Sequence, residues 1–167
     1  DALRWRGDMK LANLDVSHFA PSVKAVLSGS SRTSGRIDKK GWSVELPEFD
    51  VKGRIDNAAL DVHGSAIAQS PMKVYVPDVS VSLDANKLTG RAMLDGKNIK
   101  DDIKVDAPDL GRNMKGLAGS ASGFVTIGGT LSEPVAKADL TATGLRYGDD
   151  VRLEALMLRG DISAKPS

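Results

Sequence analysis

Residues 117–131 read Leu-Ala-Gly-Ser-Ala-Ser-Gly-Phe-Val-Thr-Ile-Gly-Gly-Thr-Leu, with aliphatic residues or glycine at every odd position and mainly small polar residues between them. Successive side chains of a β-strand point to opposite faces of its sheet, so this alternation predicts one half-buried strand. The run is far longer than the usual strand of about five or six residues. A long sheet with one apolar face is therefore the expected architecture.

The same stretch contains a motif, aliphatic-x-Gly-x-aliphatic, that recurs along the chain. Copies occur at Val51–Ile55, Val62–Ala66, Leu88–Ala92 and Leu158–Ile162. Each copy places a glycine between two apolar residues on one face of a strand. Because glycine weakens a strand, its usual role is a bend, a bulge or a close approach of backbone. The repeated motif predicts a curved sheet.

Interruptions of the alternation mark the expected bends and loops. Pro47-Glu48 lies where the apolar phase changes, as at a bulge, and the segment 108–116 is typical of a loop. The carboxylate pairs Asp101-Asp102 and Asp149-Asp150 are predicted to lie in turns. Only the early segment departs from period two: Ser17 as a cap and Gly29 as a terminator predict a short helix over about 18–28.

Composition supports an all-β fold: a long curved antiparallel or mixed sheet, folded into an open hydrophobic groove, with one short N-terminal helix. Hydrophobic residues make up 41% of the 167 residues, but aromatic residues only 4%. Large aromatic side chains normally supply much of the filling of a closed core. We expect a single domain, 1–167, from a longer repetitive protein. Trp42 begins an apolar strand and is expected in the core.

Charge and residue types exclude several functions. The formal net charge is +1, with acids and bases interleaved, which removes the basis for nucleic-acid binding. There is no cysteine, and His18 and His63 lack partners in a catalytic or metal-ligand spacing. Neither carboxylate pair fits a calcium loop. We therefore expect no enzyme activity, cofactor or metal, and no stretch is apolar enough to span a membrane.

Two stretches, Gly123–Pro134 followed by Ala138–Leu145, and Leu11–Pro21 with Val26–Gly29, resemble the repeated unit of the TamB family within the wider AsmA-like group. The resemblance implies a periplasmic segment of a protein anchored in the inner membrane of a Gram-negative bacterium. It implies the outer-membrane protein TamA as partner, and outer-membrane proteins or phospholipid as cargo. The C-terminal region of that family is described as a sheet folded lengthwise into an apolar groove, a "β-taco".

The alternation and the resemblance together predict a groove that holds acyl chains or amphipathic strands by non-directional apolar contacts. Its expected lining consists of Trp42, Val44, Leu46, Val51, Ile55, Leu60, Val62, Val81, Leu83, Leu88, Leu94, Val125, Ile127, Leu140, Leu153 and Leu158. Two alternatives stand beside it. One is a structural or adhesive module with a closed core and a functional polar surface. The other is an edge strand that pairs with a nascent outer-membrane strand.

Overall fold

A single ten-stranded sheet makes up the fold, in which every strand pairs antiparallel with its neighbours in chain order. The computed structural model describes residues 2–18, 24–148 and 151–163. The strands are β1 Leu3–Asp15, β2 Ala25–Asp38, β3 Gly41–Ile55, β4 Ala58–Gln69, β5 Lys73–Leu83, β6 Asn86–Asp95, β7 Asn98–Ala107, β8 Leu117–Gly129, β9 Pro134–Tyr147 and β10 Val151–Ser163. The predicted all-β class and the long strand from Leu117 are confirmed.

Tight turns impose this topology. The turns after β3, β5 and β6 contain residues with positive φ: Asp56 at 52°, Asp84 at 53° and Gly96 at 62°. Aspartate and glycine are the residues that tolerate this conformation in short hairpin turns. A turn this short brings the next strand directly beside the previous one, so consecutive strands pair as hairpins. The order of strands in the sheet therefore follows their order in the chain.

Bulges keep the apolar residues on one face where the sequence changes phase. Leu46 pairs with Ala66 and Phe49 with Gly64, with a register shift between them at the predicted Pro47-Glu48 position. A bulge places two residues of one strand opposite one residue of its partner. Leu46 and Phe49 therefore share a face although their spacing is odd.

The helix predicted over 18–28 is wrong for its described C-terminal part. Ala25 begins β2, and Gly29 pairs with Val51 instead of ending a helix; residues 19–23 lie outside the described residues. The helical element present is a 3-10 turn, Val16–His18. In this turn the Asp15 carboxylate accepts hydrogen bonds from the Ser17 hydroxyl at 2.6 Å and from the Ser17 backbone N–H at 2.9 Å. Pairing with β3 overrides the local apolar spacing.

The turn predicted at Asp101-Asp102 is also wrong. Both residues lie inside β7, paired with Ala92 and Arg91 of β6. Arg91 donates from Nε to the Asp102 carboxylate at 2.7 Å, which compensates the low strand preference of aspartate. The Asp149-Asp150 turn lies outside the described residues.

The sheet is open and has no closed core. Its end strands, β1 and β10, are not paired with each other. The solvent-accessible surface is 11749 Å², whereas a compact monomer of 17.6 kDa exposes about 7,900 Å². Among the described residues the buried apolar side chains are Ala25 and Ala107. Trp42, expected in the core, is 37% exposed, because no second layer covers the strand that carries it.

Glycines on the apolar face lie where neighbouring strands approach closely. A Cβ added at Gly53, Gly64, Gly90 or Gly123 would collide with a backbone carbonyl oxygen of the adjacent strand. At Gly160 on the edge strand β10 the same space is empty to 4 Å. The recurring motif therefore marks close strand approach in the interior of the sheet, as predicted, but not at its β10 edge.

Gly90→Ala is expected to destabilise the sheet by about 1–3 kcal/mol, the usual cost of overpacking, because the new methyl group displaces the Asp102 carbonyl. Gly160→Ala is the matched control, from the same motif at an open position. The free energy of unfolding from urea titrations measures both. Equal stability of the two variants would contradict the assignment of Gly90 to close strand approach.

Candidate functional site: the apolar face of the sheet

One row of side chains crosses all ten strands on a single face. Residues directly opposite in an antiparallel pair share a face, so the register can be followed from strand to strand. The row, here called the central row, consists of Leu11, Gly29, Val51, Val62, Val81, Leu88, Val105, Gly123, Leu140 and Leu158. Every member is aliphatic or glycine. The face that carries this row is called the apolar face, and its reverse the polar face.

The register places the predicted lining residues other than Leu153 on the apolar face. Six belong to the central row, and nine others occupy parallel rows one or more steps along the strands. Leu153 is the exception: it pairs with Leu145, five residues along from the Leu158–Leu140 pair, with no register shift between β9 and β10. The remaining members are Trp42, Val44, Leu46, Ile55, Leu60, Leu83, Leu94, Val125 and Ile127.

These side chains are in contact with solvent to different degrees. Leu88, Leu153 and Leu158 are 44%, 44% and 49% exposed, and most of the others are half-buried by their row neighbours. Trp5 joins the same face, with its ring lying over Gly35. A continuous apolar surface without a covering layer is unusual for a monomer, since large exposed apolar patches mark binding sites.

One carboxylate lies among these apolar rows. Asp101 occupies the position between Ala92 of β6 and Ile127 of β8, and it is the one charged residue at an apolar-face position of strands β1 to β8. Its Oδ1 accepts the backbone N–H of Met93 at 3.2 Å, and its side chain is half-buried. Sequence reasoning missed it, because an adjacent pair of aspartates suggested a turn; its place in the alternation with Ile99 and Ile103 was the available signal.

The polar face carries ion pairs between residues that are opposite in register. Arg32 and Glu48 are 2.9 Å apart, Arg91 and Asp102 2.7 Å, and Arg159 and Asp139 2.9 Å. Lys52 bridges Asp50 and Asp61 at 3.7 and 3.6 Å. Exposed pairs of this kind add little stability each, but opposite charges favour one register over a slipped one.

A polar cluster closes one end of the sheet. The loop between β7 and β8, with its 3-10 turn Leu110–Arg112, folds back onto the turn after β5. Asn86 Nδ2 donates to the Asp109 carbonyl at 2.6 Å, and Asn113 Nδ2 donates to the Asp84 carboxylate at 3.2 Å. Arg112 Nε lies 3.1 Å from the same carboxylate. The loop is thereby fixed at this end of the apolar face.

Hydrogen bonding governs the charge of Asp84. The backbone N–H of Ala59 donates to its carboxylate at 2.9 Å and is the largest cause that lowers the pKa of Asp84 below its ordinary value of 3.8. Hydrogen bonds from Arg112 and Asn113 and the Arg112 charge act in the same direction, against desolvation. The ionised form is therefore the one that holds the cluster together.

Groups suited to catalysis or metal binding are sparse in the part of the chain that the structure describes. His18 lies 3.8 Å from Asp15 and His63 3.6 Å from Asp61, both on exposed surface. No group of three or more metal-ligating side chains occurs among the described residues. None of the described helical segments is long and apolar enough to cross a membrane.

Comparison with known proteins assigns the family. A sequence model described as "TamB, N-terminal domain" matches residues 1–167, the whole chain. The chain belongs to the TamB family. It is 28% identical over 159 residues to the translocation and assembly module subunit TamB of Haemophilus influenzae, covering 95% of this chain and 12% of that relative. No solved structure matches.

The family model that matches this chain describes the N-terminal domain, whereas the groove was expected by resemblance to the C-terminal region. The expectation of a β-taco came from what the resemblance implies for the C-terminal region of the family, whereas residues 1–167 match the model of the N-terminal domain. The chain also spans about an eighth of the relative's length. The support for a groove in residues 1–167 therefore comes from the strand register and the side-chain exposure of this chain.

Asp84→Asn is expected to reduce the dependence of unfolding free energy on pH at acidic pH. Because folding depresses the pKa of Asp84, its carboxylate stabilises the fold above pH 3.8, and that contribution is lost as the pH falls through the depressed value. The asparagine variant lacks this dependence and tolerates the positive φ at this position. Urea midpoints measured from neutral pH to about pH 3 test it. Asp106→Asn, an exposed change on the polar face, should keep the wild-type profile; identical slopes in all three proteins would refute the role of Asp84.

Proposed function

We propose that this TamB-family segment is a non-enzymatic conduit whose apolar face accommodates amphipathic cargo during outer-membrane biogenesis. The observation that carries the proposal is the central row, which is apolar across ten strands and lacks a covering layer. The cargo is either phospholipid acyl chains or strands of nascent outer-membrane proteins. In this view the parent protein is anchored in the inner membrane, the segment lies in the periplasm, and TamA is the partner at the outer membrane.

Energetics support a sliding mode of binding. Each methylene removed from water contributes about 0.8 kcal/mol, and apolar contacts have no preferred direction. Because every strand presents the same aliphatic row, cargo moving from one strand to the next exchanges one set of contacts for an equivalent set. A series of similar weak contact sites of this kind retains cargo without one position of much lower free energy that would trap it.

Close strand approach at the glycines supports a groove. The carbonyl oxygens that fill the space of the missing side chains at Gly53, Gly64, Gly90 and Gly123 lie on the apolar side of the sheet. Contacts of this kind shorten the apolar side relative to the polar side and favour concave curvature toward the apolar face. A concave apolar face shields cargo from water better than a flat one.

A closed structural module is the less favoured alternative. It requires the aliphatic residues to interlock in a core, yet Leu88, Leu153 and Leu158 are exposed, and the strands contact mainly their own neighbours. Adhesion through the polar face alone would leave this apolar surface unexplained.

Ile127→Arg is expected to reduce binding several-fold, because passing cargo would have to desolvate a charge. Thr126→Arg is the matched control, one residue away on the polar face. Two readouts apply to the purified chain: fluorescence of a dye that brightens in apolar surroundings, and co-isolated phospholipid in native mass spectrometry. If the folded Ile127→Arg protein bound dye and phospholipid as the wild type does, the apolar face would not be the cargo site.

A second mode, templating at a strand edge, is favoured by the two unpaired edges at β1 and β10. The described residues of β10 are exposed, including Leu156 and Met157, and an exposed edge presents free backbone donors and acceptors to an incoming strand.

Proline substitutions at positions 156 and 157 test the templating mode. In β10 the backbone N–H groups point alternately toward β9 and toward the free edge. Proline at one of the two positions therefore removes an N–H donor from the free edge and leaves the hydrogen bonds to β9 intact. That variant should fold yet lose cross-linking of a nascent outer-membrane strand in cells. Unchanged cross-linking by the folded variant would show that the free edge of β10 does not pair with the incoming strand.

A further inference from the structure

We propose that Asp101 is a head-group site on the apolar face, which pairs with the ammonium group of a zwitterionic phospholipid such as one with an ethanolamine head. The inference rests on the proposed function and deepens it, since it names which amphiphile the face prefers. It starts from the position of Asp101: strands β1 to β8 present no other charged side chain at an apolar-face position.

A carboxylate at this position is costly without a partner. Ala92 and Ile127 flank Asp101 across the sheet, and Ile99 and Ile103 flank it along β7. Half-buried among such neighbours, a charged group loses hydration. Its compensation within the described residues is one backbone donor, Met93 N–H at 3.2 Å, and none of the ion pairs there includes it. Most acceptor positions of the carboxylate remain free for an external donor.

The contrast with the next residue sharpens the assignment. Asp102 points to the polar face and forms an ion pair with Arg91 at 2.7 Å, as most charged groups opposite a basic residue do. Asp101 faces the other way and has alanine and isoleucine as its register partners. Asp102 therefore helps to fix the register of β6 and β7, whereas the Asp101 carboxylate is available to bind a cation from outside the chain.

Distances along β7 fit a phospholipid placed lengthwise on the strand. Beyond Asp101 the apolar face continues through Ile103, Val105 and Ala107, a span of six residues or about 20 Å. Half the hydrocarbon thickness of a bilayer, the reach of one layer of acyl chains, is about 15 Å. An ammonium group at Asp101 thus leaves the acyl chains on continuous aliphatic surface.

A lipid fits this site better than a polypeptide. One carboxylate beside an extended apolar surface matches a molecule with one cationic head and long apolar tails. A strand of polypeptide would bring its own backbone N–H and C=O groups against the aliphatic rows on either side of Asp101, which offer them no hydrogen-bond partners.

The test compares two lipids with identical acyl chains, one with an ethanolamine head and one with a glycerol head, offered to the 167-residue chain in the same detergent. Native mass spectrometry under competition gives the ratio bound. The wild type should prefer the ethanolamine lipid about fivefold, the effect of one partly desolvated ion pair. Asp101→Asn, which keeps the shape and the Met93 hydrogen bond, should reduce the ratio to about one, while Asp106→Asn, on the same strand but the polar face, should retain it.

The outcomes separate this inference from the proposed function. Binding of both lipids without preference, or a preference that survives Asp101→Asn, would overturn the head-group site and leave the conduit standing. Failure to bind either lipid, together with failure to bind an amphipathic strand peptide, would overturn both. If a lysine-containing strand peptide required Asp101 while lipid binding did not, the carboxylate would belong to protein cargo and the lipid assignment would be wrong.

Discussion

Backbone pairing between consecutive strands is the constraint on which the rest of this structure depends. In a compact domain a hydrophobic core holds layers together, but here the described residues provide almost no buried apolar side chains. What holds the sheet is the ladder of hydrogen bonds from β1 to β10 and the side-chain rows that the ladder aligns. Register has to be right at every pair, because a slip by one residue moves the aliphatic residues of a strand to the opposite face.

Several local features protect that register. Bulges at Pro47-Glu48 and between Val76 and Val79 absorb extra residues without moving the apolar rows. Register-matched ion pairs such as Arg91 with Asp102 reward the correct alignment on the polar face. The hydrogen-bonded loop around Asp84 and Asn113 secures the end of the sheet at which β5 and β6 turn. Each contribution is small, yet all of them favour the same pairing.

Alternation in the sequence was sufficient to predict the all-β class and the long strand at Leu117, and within each uninterrupted strand it indicates which residues share a face. Period two is a local property, and antiparallel pairing preserves it from strand to strand. The described C-terminal part of the helix predicted over 18–28 is a strand, because Val26 and Leu27 fit an apolar helical spacing as well as a strand, and only pairing with Arg54 and Gly53 decides between them. Asp101 was missed for a related reason: its partners, Ala92 and Ile127, are distant in sequence, so nothing local reveals that a carboxylate stands in an aliphatic row.

The strictly sequential order of strands gives the fold an adjustable length. Each strand contacts mainly its two neighbours, so stability accumulates by nearest-neighbour terms, as in other linear arrays. Adding or removing one hairpin changes the width of the sheet by two strand spacings, about 9.6 Å, and leaves chain direction, facing and the flanking contacts intact. Duplication or loss of hairpins can therefore change the dimensions of such a sheet, with no redesign of the units that remain.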